Sequence, residues 1–141
     1  MISKRIYATS VALEDNGVAI LGESGVGKSD LALRLIDSGG TLISDDITLF
    51  SKSNCGINLY GIDETKGLIE VREVGIITVP YIEGIKLKLI VKLKDCNLER
   101  LPKRNYMKIL GQSFPKIEIN GKNSSSVAKI KIKLNEINEK I

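Results

Sequence analysis

Val18-Ala19-Ile20-Leu21-Gly22-Glu23-Ser24-Gly25-Val26-Gly27-Lys28-Ser29 begins as an apolar run short enough for a buried strand and ends on a complete G-x-x-x-x-G-K-[ST] pattern. The glycines let successive backbone N–H groups converge on an oxyanion, Lys28 can reach β- and γ-phosphates, and the Ser29 hydroxyl can bind Mg²⁺. Lys28 to Ser38 reads as the helix that follows, with Leu31/Leu35 and Ala32/Ile36 at i,i+4 spacing and Gly39 as its stop. The helix dipole adds positive potential where the loop ends. Strand, glycine loop and helix in this order predict an α/β domain that cradles phosphate with Gly22, Glu23, Ser24, Gly25, Val26, Gly27, Lys28 and Ser29.

Composition narrows the classes. A chain of 141 residues is long enough for one domain that buries about two-thirds of its unfolded surface without a disulfide or metal staple; the expectation is a single domain over 1–141. Its 43% hydrophobic and 27% charged residues are ordinary for a soluble chain, and no apolar run approaches the length of a bilayer span. Met1 to Ile6 lacks the apolar centre of a signal peptide, so the expected place is the cytoplasm, with no membrane partner. Cys55 and Cys96 are isolated thiols and histidine is absent, which removes most zinc sites and the Ser-His and Cys-His nucleophile pairs. The net charge of +4 is dispersed, and four Tyr with two Phe offer few stacking platforms. Nucleic acid is therefore not an expected partner.

Outside the loop, Arg5 to Leu13 alternates into Glu14-Asp15-Asn16-Gly17, whose Asn-Gly predicts a hairpin leading into the Val18 strand. Thr41 to Ser44 is a short strand ending in Asp45-Asp46. Ser51 to Lys66 reads as loop-rich with one short strand near Ile57 to Leu59. Ile85 to Lys94 alternates Ile85, Leu87, Leu89, Val91 and Leu93 against lysines, a half-buried strand with a solvated lysine face. A short helix is expected within Leu98 to Leu110 and a strand from Phe114 to Ile119. The final segment reads as a helix capped by Ser124 to Ser126, with Val127, Ile130, Leu134, Ile137 and Ile141 as its apolar stripe.

Phosphoryl transfer needs a phosphate cradle, a metal to neutralise developing charge and a group that receives the acceptor's proton. Asp45 and Asp46 stand at the end of a strand expected beside the loop, where one can hold Mg²⁺ and the other accept a proton; the bland alternative is a pair of turn residues. Glu70 and Arg72 interrupt an apolar segment and read equally as a metal ligand beside an anion clamp or as a surface ion pair.

Gly22 to Ser29, Leu42-Ile43-Ser44-Asp45-Asp46, and Leu68-Ile69-Glu70-Val71-Arg72-Glu73-Val74-Gly75-Ile76-Ile77-Thr78-Val79 together resemble the catalytic domain of the bacterial HPr kinase/phosphorylase family, the third stretch most specifically. The resemblance implies a P-loop domain of the phosphoenolpyruvate-carboxykinase-like type, with a mixed sheet, flanking helices and a C-terminal helix, here without the family's usual N-terminal domain. It implies ATP and Mg²⁺ as cofactors, phosphorylation of a serine on an HPr-like phosphocarrier, weak phosphorolysis of the product, and a homo-oligomer, usually a hexamer. Carried over by position, Lys28 binds phosphates, Ser29 and Glu70 hold the metal, Asp46 accepts the serine proton with Asp45 beside it, and Arg100 is a further active-site residue. One departure stands out: Tyr7 occupies the place of a family histidine, and a tyrosine does not change charge near neutrality. Two other readings remain. A GTPase or small-molecule kinase is disfavoured because Lys92-Leu93-Lys94-Asp95 lacks the asparagine of a guanine motif. A non-catalytic nucleotide-binding regulator is disfavoured by the intact set of charged residues.

Overall fold

The computed structural model describes residues 2–139. After an outer strand β1 (Ser3–Tyr7), strands β2 (Thr9–Leu13) and β3 (Asn16–Leu21) form an antiparallel hairpin, and the glycine loop leads into helix α1 (Lys28–Asp37). Next come β4 (Thr41–Ser44), β5 (Ile47–Ser53), β6 (Gly56–Tyr60), the small pair β7 (Leu68–Val71) and β8 (Gly75–Thr78), and the long strand β9 (Ile85–Leu93). The chain then adds β10 (Asn105–Ile109), β11 (Gln112–Ile119) and helix α2 (Ser126–Glu139). Nine strands make one mixed sheet in the order β1-β5-β6-β9-β3-β2-β4, with β11 also on β9 and β10 on β11. Strands β3 and β11 run parallel to β9, while β6 meets it antiparallel through Lys86 and Ile85. Strands β7 and β8 stand apart as a two-stranded ribbon.

Two cores lie on the two faces of this sheet. One gathers Val11, Leu13, Val18 and Ile20 with Leu31, Ala32 and Leu35 of α1, Ile69 of β7, Leu89, Val91 and Leu93 of β9, and Ile130 and Leu134 of α2. The other contains only residues on or beside strands, among them Ala12, Ala19, Phe50, Leu59, Ile90, Ile109 and Phe114. Strand β9 feeds both because its pairing with β3 slips by one residue between Gly17/Leu87 and Val18/Leu89. Leu87 thereby joins Ile90 in the second core rather than staying in phase with Leu89, so the expected five-residue apolar face is split by a bulge. The lysines are partly solvated as expected, and Lys94 pairs with Glu118 at 3.4 Å.

Several local expectations are revised. Asn16-Gly17 does mark the hairpin, but the turn residues are Glu14 and Asp15, with Glu14 at φ 57° and Leu13 paired to Asn16. Gly17 is required for another reason: a Cβ there would meet the Lys86 carbonyl oxygen at 2.6 Å and Leu59 Cδ1 at 2.9 Å. The short strand expected near Ile57 to Leu59 is β6, and the stretch read as loop-rich also holds the end of β5, with which β6 forms a hairpin. No helix forms between residues 98 and 110; the end of that stretch is β10, turned into β11 by Leu110 and Gly111, both at positive φ. In α2, Val127, Ile130, Leu134 and Ile137 do face the helix-side core, whereas Ile141 lies outside the described residues. The Ser126 hydroxyl donates to the Asn120 and Asn123 carbonyls instead of accepting from a helix N–H. Cys55 and Cys96 are exposed free thiols, and no helix among the described residues is long and apolar enough to cross a membrane.

Gly17→Ala is expected to destabilise the fold by about 1–3 kcal/mol, the range for overpacking a site that cannot yield, because the atom it strikes is backbone. Urea unfolding should show a lower midpoint with an unchanged slope; a midpoint equal to the parent's would mean that β3 and β9 can separate locally at no cost.

Candidate active site

The glycine loop connects the end of β3 to the first turn of α1. Gly25 and Gly27 adopt φ of 83° and 100°, and nothing in the chain lies within 4 Å of where their side chains would start. Left-handed glycines turn successive N–H groups to one side, and the space before them is open, which together suits an oxyanion at a helix N-terminus. Lys28 folds back over this space and donates from Nζ to the carbonyls of Gly22, at 2.7 Å, and Glu23, at 3.1 Å. The cation is thus held at the rim of the loop by the loop itself.

Asp45 is the hub of the site. The residue is 9% exposed, and three donors from three segments satisfy its carboxylate. Oδ1 accepts from Ser29 Oγ at 2.7 Å and from Thr9 Oγ1 at 3.1 Å, and Oδ2 accepts from the Glu70 backbone N–H at 3.0 Å. These three donors replace the water that burial takes from the carboxylate. Asp46 follows at φ 70°, a left-handed turn that sends the chain into β5 and leaves its side chain exposed. Its backbone N–H donates to Thr9 Oγ1 at 3.1 Å. Adjacent in sequence, the two aspartates therefore occupy opposite environments: one locked, one free to meet a ligand.

Glu70 reaches the site on β7, its N–H on Asp45 and its side chain exposed. Arg72 falls in the turn after β7, and no ion pair joins it to Glu70 among the described residues. Tyr7 is 75% exposed at the end of β1, paired with Ile47, the residue after Asp46. Arg100 sits in an exposed irregular stretch between β9 and β10 and makes no hydrogen bond or ion pair among the described residues. That stretch leaves β9 at Leu93, which packs on Gly22, and is fastened at its far end by Arg104 to Glu136 of α2 at 3.2 Å. Lys133, 2.6 Å from the same carboxylate, and Arg104 hold Glu136 below the usual carboxylate range.

Thr9 is the residue that sequence reasoning missed. It was placed only by its position in an alternating strand, yet it is fully buried and its hydroxyl joins both aspartates. The available signal was the adjacent hydroxyls Thr9-Ser10 inside an otherwise apolar strand, since buried hydroxyls demand partners. Ser10 meets Thr48 Oγ1 at 2.9 Å, the second half of the same answer.

Comparison with known proteins gives this geometry a lineage, for the model of the HPr Serine kinase C-terminal domain matches residues 2–139. The chain belongs to that family. Among curated members of the HPr kinase family, the HPr kinase/phosphorylase of Mycoplasmopsis pulmonis is 36% identical over 141 residues, 89% of this chain and 45% of that protein. The HPr kinase/phosphorylase of Clostridium botulinum strain Eklund 17B is 35% identical over 127 residues, 82% of this chain and 42% of its own length. The chain thus spans less than half the length of these relatives. A solved structure, the Hpr(Ser) kinase/phosphatase from Coxiella burnetii, superposes with a TM-score of 0.77 at 26% identity, covering 96% of this chain and 94% of that one.

Thr9→Val keeps the shape of the side chain but strips Asp45 of one donor and leaves the Asp46 N–H without its acceptor. Buried polar groups orphaned in this way cost about 1–3 kcal/mol. Denaturant titration should find that loss for valine and near-parental stability for Thr9→Ser; equal stability of the valine and serine forms would count against the hub.

Proposed function

We propose that the chain is the catalytic domain of an ATP-dependent protein-serine kinase whose acceptor is an HPr-like phosphocarrier. The observation that carries this reading is the Ser29–Asp45 hydrogen bond, which joins the glycine loop to the carboxylate pair, with Asp46 exposed next door. Family membership and the names of the relatives support it. On this reading the loop is a P-loop of the phosphoenolpyruvate-carboxykinase-like type, residues 1–141 act as one catalytic unit, and the working form is a homo-oligomer in the cytoplasm.

The donor set fits a magnesium ion shared with ATP. Ser29 Oγ and Asp45 offer hard oxygens at one place, Glu70 adds an exposed carboxylate, and no group of three or more His, Cys, Asp or Glu among the described residues forms an all-protein cage. Magnesium is commonly held by one or two protein groups together with phosphate oxygens. Ser29 and Glu70 would hold it, with Asp45 orienting the Ser29 hydroxyl; when bound, it neutralises charge on the transferring phosphoryl group.

The chain's own residues then act as follows. Gly22 to Gly27 present N–H groups to the phosphates, and Lys28 exchanges its loop carbonyls for phosphate oxygen. Asp46 accepts the proton of the acceptor serine as its oxygen bonds to the γ-phosphorus and the bond to the ADP oxygen breaks. Asp45 cannot take that role without giving up three hydrogen bonds, so burial separates two residues that the sequence leaves equivalent. Arg100 serves as an additional charge on the acceptor side.

Lys28→Ala should abolish ATP·Mg²⁺ affinity with circular dichroism unchanged, whereas Asp46→Asn should retain ATP binding and lower kcat for HPr phosphorylation by at least a hundredfold. Isothermal titration and labelled-phosphate transfer separate the two. Wild-type turnover in Asp46→Asn would place the proton acceptor elsewhere.

Tyr7 bears on the reverse reaction, in which phosphate attacks phosphoserine and two anions must meet. That step needs more proton-donating help than transfer from ATP, and Tyr7, paired with Ile47 next to Asp46, offers one hydroxyl in place of an imidazole. Pyrophosphate release from phosphorylated HPr should therefore be weak in the parent and rise more than the forward rate in Tyr7→His. Forward and reverse rates that are equal in the parent would show the histidine to be dispensable.

A further inference from the structure

Between Glu73 and Glu83 the chain carries no charged residue: Val74-Gly75-Ile76-Ile77-Thr78-Val79-Pro80-Tyr81-Ile82 is an uncharged run in a protein that is 27% charged. The run is not buried. Val74 is 68% exposed, Ile76 70% and Tyr81 45%, and Ile77 and Ile82 are also open to solvent. All four residues of β8 are exposed, and β8 pairs with β7 alone, so its other edge has no strand against it among the described residues. The edge has neither the lysine nor the internal proline that usually protects such a strand. An apolar surface left open in this way marks a docking site more often than not.

Its position says what docks. Ile76 stands directly across from Glu70, and directly opposed residues in an antiparallel pair project from the same face. The Glu70 N–H is 3.0 Å from the Asp45 carboxylate, so Ile76 is one strand spacing, about 5 Å, from the residue that touches the hub. At the other end of the run Tyr81 bridges to Leu42 of β4, the strand that ends at Asp45, and the Ile82 N–H donates to the Leu42 carbonyl at 2.9 Å. A protein partner covers about 800 Å² per side, a disc with a radius on the order of 16 Å. A protein that places a serine on Asp46 has a footprint wide enough to reach this strip. A second copy of the chain seated here would cover Glu70 and obstruct the same approach.

We propose that residues 74–82, with the open edge of β8 at their centre, form the docking face for the protein acceptor, and that the acceptor presents its serine within an apolar surface. The inference rests on the kinase reading and adds the acceptor-binding face to it. Affinity comes from burying Ile76, Val74 and Tyr81 against apolar side chains, with backbone hydrogen bonds along β8 available to an extended segment.

The test compares wild type, Ile76→Glu and the uncharged Ile76→Ser, with Ile132→Glu as a control, since Ile132 on α2 is as exposed, at 71%, and belongs to a different element. Purified HPr is the probe. Its Kd is measured by calorimetry without turnover, its KM by labelled-phosphate transfer, ATP affinity separately, and mass by sedimentation. Ile76→Glu should raise Kd and KM for HPr at least tenfold and Ile76→Ser at least threefold, with ATP affinity unchanged; Ile132→Glu should change none of these. A wild type that phosphorylates HPr while Ile76→Glu keeps the same KM overturns the docking face and leaves the kinase standing. So does an Ile76→Glu that only dissociates copies of the chain. A wild type that neither binds nor phosphorylates HPr overturns the kinase reading, and the docking face with it.

Discussion

A carboxylate withdrawn from water must be resolvated by the protein or it destabilises the fold. Asp45 meets that requirement by drawing one donor each from the start of α1, the first residue of β2 and the β7–β8 ribbon. The bonds run both ways. The ribbon has no place in the nine-stranded sheet; it is held by the packing of Ile69 and Val71 on the helix-side core, by the Glu70 N–H on Asp45, and by the Tyr81 and Ile82 contacts with Leu42 of β4. The glycine loop is likewise tied to the strand bearing the aspartates by a single hydroxyl one residue beyond Lys28. Electrostatics at the centre therefore add a common anchor to segments that the sheet and the helix-side core already bring near one another.

The legible parts of this protein were those whose signals are local. An apolar run, spaced glycines and a 3.6-residue periodicity lie within about twenty residues of one another, and they located β3, the loop and α1 almost to the residue. Resemblance pointed to Asp45, Asp46 and Glu70, and the structure does bring these three to one place through Asp45 and Thr9. What failed was long-range. β10 exists because β11 pairs with it, through a Leu110-Gly111 turn that asks a leucine to adopt positive φ, and no propensity announces that. β6 was legible as the short strand near Ile57 to Leu59, but that its partner is the end of β5 is a matter of pairing. Thr9 looked like a strand position because its partners lie 36 and 37 residues away. Arg100 shows the converse, a residue identified by resemblance that lies in an exposed irregular stretch and has no hydrogen bond among the described residues to announce a role.

The inequality of Asp45 and Asp46 has a backbone origin. A non-glycine residue at positive φ is uncommon and needs support, which Asp46 receives from the Thr9 hydroxyl on its N–H and from the Ile47 N–H closing onto the Asp45 carbonyl at 2.8 Å. Reversing the chain at that point turns one side chain inward and the next outward, so two identical groups acquire different chemistry without any difference in their own nature.

Strand β9 touches β3, β6 and β11, and the first two of these are made well before it. During synthesis, residues up to 84 emerge with β3 and β6 both lacking their common neighbour, their apolar faces and backbone edges bare until nine more residues arrive. Pairings that span such separations close slowly, and unpaired edges invite association with other nascent chains. The burden of this architecture thus falls on the cell's folding machinery: the interval between the emergence of Leu21 and that of Leu93 is when the protein most needs a chaperone's cover.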